Sequence, residues 1–123
     1  MADFQRILVT GGAGFIGSNF VRYLLERYPQ CHPVVLDKMT YAGNWDNLAD
    51  LADRITFLQG DIAQSQDVAA AIAGVEAVVN FAAESHVDRS LINSHPFVRT
   101  NVEGTLVLLE AAVREKVRRF LHI

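Results

Sequence analysis

Residues 7–17 read Ile7-Leu8-Val9-Thr10-Gly11-Gly12-Ala13-Gly14-Phe15-Ile16-Gly17, an apolar run that stops at a glycine turn and leads into a helical pattern. Arg6 to Thr10 (RILVT) predicts a short buried strand. After it, apolar residues at Phe15, Ile16, Phe20, Val21, Leu24 and Leu25 form a helical stripe that Pro29 ends. The glycines satisfy G-x-G-x-x-G through Gly12, Gly14 and Gly17, and also G-x-x-G-x-x-G through Gly11, Gly14 and Gly17. One glycine permits the tight turn, another lets a pyrophosphate approach bare backbone, and Gly17 lets helix and strand pack closely. Free amides at the helix start, with its dipole, complete an anion site. The alternative is a plain glycine turn, which the matching strand and helix on either side argue against.

Outward from this stretch the chain alternates. Pro33 to Leu36 (PVVL) predicts a second buried strand, followed by a polar, turn-rich stretch from Asp37 to Asn47 and one or two helical turns over Leu48 to Ala52. Ile55 to Leu58 is a third strand, Gln64 to Ala73 an Ala-rich helix ended by Gly74, and Ala77 to Ala82 a fourth strand. A long loop leads to a helix through Val102, Leu106, Leu109, Ala112 and Val113, and Arg119 to Ile123 begins a fifth strand. Strands alternating with helices imply βαβ units, because parallel neighbours need a crossover connection. Right-handed crossovers then predict a doubly wound α/β sheet in the order 3-2-1-4-5. The outer edge of a fifth strand would be bare, so the expectation is the N-terminal piece of a longer protein, with a substrate domain absent.

With 123 residues, 50% of them apolar, the chain is sized for one globular domain. Fourteen acids against eleven Lys and Arg give a net charge of −3, without the basic excess that nucleic-acid binding calls for. The single cysteine, Cys31, can form no internal disulfide and reads as a packed small residue. No apolar run approaches the roughly 20 residues of a membrane helix, and residues 1–6 do not resemble a secretory signal. A soluble, cytoplasmic protein is expected.

Candidate ligand residues fall at strand ends. Asp37 ends the second strand, twenty residues beyond Gly17, where an acid accepts hydrogen bonds from ribose hydroxyls and repels a 2′-phosphate; this favours NAD over NADP, and Lys38 weakens that preference without reversing it. Asp61 follows the third strand and reads either as an adenine contact or as a helix N-cap, with Ile62 beside it. Phe81, Ala82 and Ala83 end the fourth strand, where small side chains let a cofactor lie against backbone or simply fill the core. Glu84-Ser85-His86-Val87-Asp88-Arg89-Ser90 packs six polar residues around one valine beside the expected switch in strand order, a position that favours a nicotinamide-side site over a solvent loop. Thr100 and Asn101 either reach toward that loop or pack their helix. Trp45 and Tyr41 lie over the cofactor or over the sheet edge. His32, His95 and His122 have no metal-ligand spacing.

Four stretches carry a resemblance: Val9 to Ser18, Asp37-Lys38-Met39-Thr40-Tyr41-Ala42-Gly43-Asn44, Gly60-Asp61-Ile62, and Ala82 to Ser90. Together they resemble the extended short-chain dehydrogenase/reductase family of NAD-dependent epimerases and dehydratases, a Rossmann-fold family. Within it they resemble the branch that dehydrates a nucleotide-linked glucose. The likeness runs from Arg6 to Ile123 and covers about a third of such an enzyme. It implies NAD as cofactor and dTDP-glucose or a related sugar nucleotide as partner. Gly11, Gly14 and Gly17 with Phe15 and Ile16 would hold the pyrophosphate, Asp37, Lys38, Met39 and Thr40 the adenosine ribose, and Asp61 and Ile62 the adenine. Phe81, Ala82, Ala83, Glu84, Ser85 and Thr100 would line the inner site, with Ser85 and His86 also meeting the sugar nucleotide.

The family's chemistry implies oxidation at C4, loss of water across C5 and C6, and hydride return to C6, in a full-length homodimer. Its Tyr-x-x-x-Lys motif and acid/base pair have no counterpart here, because no Tyr follows Tyr41. No catalytic residue is therefore expected in these residues, and no turnover from them alone. Two alternatives stay open. One is another NAD-dependent sugar-nucleotide enzyme, such as a UDP-sugar 4-epimerase or decarboxylase or a GDP-mannose dehydratase. The other is a non-catalytic dinucleotide-binding module.

Overall fold

The computed structural model describes residues 4–39, 43–83 and 95–123, apart from the side chain of Phe97. Its strands are β1 (Arg6–Thr10), β2 (His32–Asp37), β3 (Thr56–Gln59), β4 (Ala77–Asn80) and β5 (Arg119–His122). They form one parallel sheet in the order β3-β2-β1-β4-β5, as the alternation predicts. At its centre Val9 of β1 aligns with Val35 on one side and Val79 on the other. These strands read as continuous apolar runs because both faces of the sheet are covered.

Alternate residues of β1 feed separate cores. Ile7 and Val9 point to a layer with Val21, Leu24 and Leu25 of α1 (Phe15–Arg27) and with Leu48 and Leu51 of the 3₁₀ segments Trp45–Asn47 and Ala49–Arg54. Leu8 points the other way, to Val68 and Ile72 of α2 (Ser65–Ile72) and to Leu108 and Ala111 on the last helix. That helix starts as α3 (His95–Val98), widens to a π segment at Arg99–Gly104, and continues as α4 (Thr105–Arg114). Gly74 closes α2 at φ +75°, a left-handed conformation that glycine adopts without penalty. β5 pairs with β4, and among the described residues no strand pairs with its outer edge. No described helix is long and apolar enough to cross a membrane.

Three expectations are corrected. Phe15 and Ile16, which open the apolar stripe read along α1, are 80% and 64% exposed, because the stripe meets the sheet only from Gly17 onward. β4 ends at Asn80 rather than Ala82: the Asn80 side-chain oxygen takes the Ala82 amide at 3.1 Å and draws it off the ladder. Of the apolar positions read along the last helix, Val102, Leu106, Leu109 and Val113 are exposed and only Ala112 is buried, alongside Thr100, Gly104, Leu108 and Ala111. Close approach decides this face. A Cβ on Gly104 would sit 2.4 Å from Ile62 Cγ1, so the helix packs against the sheet through Gly104 and its alanines, with Leu108 as the one large residue of that face.

The face assignment has a direct consequence. With the protein dilute enough to be monomeric, Leu108→Ala is expected to cost about 2–5 kcal/mol by leaving a cavity, and Leu106→Ala to stay within about 0.5 kcal/mol. Urea melts of the two variants check this, and equal costs would overturn the assignment.

Candidate functional site

Strand order reverses between β1 and β4, and in doubly wound sheets ligands bind outside the carboxyl ends of the strands at that point. An open crevice of about 560 Å³, continuous with solvent, lies there. Its floor is the glycine turn. Gly11, at φ +71°, donates its amide to Leu36 O at 2.8 Å, and a Cβ on it would lie 2.7 Å from the Ala82 nitrogen. A Cβ on Gly17 would lie 2.3 Å from the Gly11 carbonyl oxygen, so helix and turn close only over glycine. α1 begins at Gly14 with neither a side-chain cap nor an acid in its first turn, leaving its amides and positive dipole end for an external anion.

Beside the turn, Asp37 is buried at the end of β2. Its Oδ2 accepts the Ala13 amide at 2.9 Å, and its Oδ1 accepts the Met39 amide at 2.7 Å. The Ala13 carbonyl is held in turn by the Asn47 side-chain amide at 2.9 Å and by the Asn44 backbone amide at 3.1 Å. Arg22 of α1 donates to the Asn47 carbonyl at 3.0 Å and pairs with Asp50, fastening the 3₁₀ segments to the helix. Each Asp37 oxygen keeps lone-pair capacity, so the carboxylate can order the turn and accept ribose hydroxyls as well.

Asp61 lines the crevice beyond Asp37, just after β3. Its Oδ1 accepts the Ala63 amide at 2.9 Å, and its Oδ2 lies 3.5 Å from Lys38 Nζ and 3.3 Å from Arg99 Nε. Burial alone would push its carboxyl up, but the Ala63 amide, Lys38 and Arg99 together hold it below the usual carboxylate range. Phe81 donates its amide to Thr10 O at 2.9 Å and packs its ring 5.3 Å from that of Phe20. Trp45 leans on Phe57 of β3 at 4.9 Å, the sheet-edge placement of the two foreseen. Cys31 is buried, which raises its thiol pKa, as suits a packed residue. Among the described residues no group of three His, Cys, Asp or Glu side chains forms a metal site.

Of the expected ligand residues, Gly11, Gly14, Asp37, Lys38, Asp61, Ile62, Phe81, Ala82, Ala83 and Thr100 converge on the crevice. Phe15, Ile16, Gly17 and Met39 border it without lining it. Thr40, Glu84, Ser85 and His86, with the rest of the 84–90 cluster, lie outside the described residues. Asn47 was not anticipated. The available signal was the Gly43-Asn44 turn, with Asn47 three residues on, where Asn44 caps the 3₁₀ segment through the Asp46 amide at 2.9 Å. The arrangement suits an adenosine diphosphate moiety, with amides and a helix end for phosphates, a buried carboxylate for a ribose, and Asp61 and Ile62 for a base.

Fold and crevice define a doubly wound domain of the dinucleotide-binding type. The chain belongs to the GDP-mannose 4,6 dehydratase family, whose model matches residues 8–123. It is 54% identical over 119 residues to the low-salt glycan biosynthesis protein Agl12 of Haloferax volcanii, a match covering 95% of this chain and 38% of that protein. It is 52% identical over 114 residues to dTDP-glucose 4,6-dehydratase of Mycobacterium tuberculosis, covering 93% of this chain and 34% of that enzyme. Among solved structures, DesIV, a dTDP-glucose 4,6-dehydratase of Streptomyces venezuelae crystallised with NAD, superposes with a TM-score of 0.87 at 51% identity, over 94% of this chain and 38% of that one. UDP-glucose 4-epimerase of Thermotoga maritima also gives 0.87, at 32% identity, over 96% of this chain and 37% of that one. The chain thus spans little more than a third of the length of these relatives.

The lowered Asp61 sets a pH test. A depressed carboxyl contributes stability above its unfolded value, about 3.9, and loses it as pH falls through the folded value. The stability gap between the chain and Asp61→Asn is therefore expected to be steady near pH 7 and to shrink below about pH 4. Urea midpoints at pH 7 and pH 3 measure it, and an equal gap at both would contradict the arrangement.

Proposed function

We propose that residues 1–123 are the NAD-binding domain of a dTDP-glucose 4,6-dehydratase. The observation that carries this is the glycine-floored crevice at the switch point, walled by buried Asp37. Identity of 50–53% to several dTDP-glucose 4,6-dehydratases supports the substrate class. The amides of Phe15, Ile16 and Gly17 hold the diphosphate, and Gly11 and Gly14 give it room. Asp37, Lys38, Met39 and Thr40 surround the ribose, Asp61 and Ile62 the adenine, and Phe81, Ala82, Ala83, Glu84, Ser85 and Thr100 the nicotinamide half. Ser85 and His86 face the sugar nucleotide. Bound NAD supplies the hydride acceptor for oxidation at C4 and the donor for return to C6, with water lost across C5 and C6.

These residues bind and orient. They hold no Tyr-x-x-x-Lys and no Tyr after Tyr41 to take the sugar hydroxyl proton, and on this reading they turn over no substrate alone. The 4-epimerase reading shares the fold, which therefore does not separate the two; the Asp37–Asn44 and Glu84–Ser90 stretches favour the dehydratase. A non-catalytic NAD-binding module would leave the polar cluster after β4 without a task. Cytoplasmic residence goes with this reading.

Calorimetric titration of the chain is expected to show NAD binding, weakened at least tenfold in Asp37→Ala, a dTDP-glucose response on the NAD-loaded chain, and no 4-keto-6-deoxy product. Absence of NAD binding would overturn the proposal, a missing sugar-nucleotide response would favour the non-catalytic module, and product above blank would refute the lack of turnover.

The homodimer of the full-length enzyme is proposed to use the outward stripe Val98, Val102, Leu106, Leu109 and Val113, spaced along one helix face. Light scattering of the chain is expected to show self-association that Leu106→Glu with Leu109→Glu abolishes. An unchanged mass would place the contact elsewhere.

A further inference from the structure

Two cations, Lys38 on the crevice and Arg99 beside it, are engaged by a single carboxylate. Lys38 directly follows Asp37, and Arg99 reaches in from the π segment. Both converge on Oδ2 of Asp61, Lys38 Nζ at 3.5 Å and Arg99 Nε at 3.3 Å, while Oδ1 is occupied by the Ala63 amide. The Asp61 side chain is 14% exposed, against 45% for Lys38 and 40% for Arg99, so the acid sits inside and the two cations lean onto it from the rim. Arg99 also lies 4.0 Å from the exposed Glu103, one helical turn on.

A lysine and an arginine beside a ribose site are the usual means of holding a phosphoryl group. In a dinucleotide crevice they would suit a 2′-phosphate. Asp37 alone opposes such a group, and Lys38 next to it offsets that opposition. Asp61 changes the balance. Asp37, Asp61, Lys38 and Arg99 together are neutral, and removing Asp61 leaves one net positive charge at the ribose edge. An incoming phosphate must also pull both cations from a carboxylate that is mostly buried, and stranding such a group is costly.

Resting on the reading that the crevice holds NAD, we propose that Asp61 is a specificity-determining residue: as shared counter-ion of Lys38 and Arg99, it denies them to a 2′-phosphate and so excludes NADP. This role is separate from any contact with adenine, which NAD and NADP have in common.

The test is the ratio of NADP to NAD dissociation constants, measured by calorimetry on the unmodified chain, Asp61→Asn, Lys38→Met and the double variant. Asp61→Asn keeps the shape and the acceptor for Ala63. It is expected to lower the ratio about tenfold, and adding Lys38→Met is expected to restore it to within threefold of the starting value. Lys38→Met alone should move the ratio less than threefold, because Asp61 already engages that cation. A ratio unchanged in Asp61→Asn, with NAD still bound, would overturn the inference while leaving the NAD reading intact. Failure of the unmodified chain to bind NAD would remove both. If circular dichroism shows Asp61→Asn unfolded, Asp61→Ser replaces it and is read by the same ratio.

Discussion

Ala13 is held from both sides, its amide by Asp37 and its carbonyl by Asn47 and Asn44. These bonds fix the glycine turn in space, and the rest of the crevice is built against it. The turn has no side chains of its own to lock it, and glycine backbone is the most costly to order. Order is imported from the loop after β2, which Arg22 ties back to α1. The same buried carboxylate that can receive a ribose thus organises the backbone that can receive a diphosphate. In a doubly wound sheet the two tasks meet because β1 and β2 end side by side.

Most of the architecture was legible because it follows from period and length. Five short apolar runs separated by helical stretches leave little choice but parallel crossovers, and the observed strand order is the one expected. What period does not decide is which of two apolar faces of a helix goes inside. The last helix offers Val102, Leu106, Leu109 and Val113 on one side and Leu108, Ala111 and Ala112 on another. Counting large hydrophobes selects the wrong face, because contact with Ile62 and α2 demands a thin surface, which Gly104 and the alanines provide. The exposed start of α1 has a related origin. Phe15 and Ile16 continue the stripe in sequence but lie at the mouth of the crevice, where the helix has not yet reached the sheet.

The candidate site was legible where backbone geometry dictates residue type. Gly11 and Gly17 are demanded by contacts a Cβ would violate, and Asp37 by its place at a strand end. Side chains that act at a distance in sequence were not. Asn47 serves Ala13 from thirty-four positions away, and Arg99 reaches Asp61 from thirty-eight. No local pattern announces such partners, because they are set by how the crossovers stack. The polar cluster after β4 was read from composition alone and lies outside the described residues.

The wall opposite Asp37 shows how side-chain polarity deep in a sheet can shape a binding surface. Thr10 donates its hydroxyl to the Asn80 side-chain oxygen, which also accepts the Ala82 amide, and Asn80 Nδ2 donates to Nδ1 of His122 at 3.1 Å. Thr10 and Asn80 are fully buried, so these bonds are made in a medium that penalises any unpaired member. The chain links the ends of β1, β4 and β5 and turns the backbone out of the ladder from Ala82 onward, against the glycine turn. There the Ala82 backbone lies so close to Gly11 that neither strand end can shift without the other. The place of Ala82 then follows from packing before any ligand is considered, and Ala83, exposed beside it, carries the lining of the crevice onward.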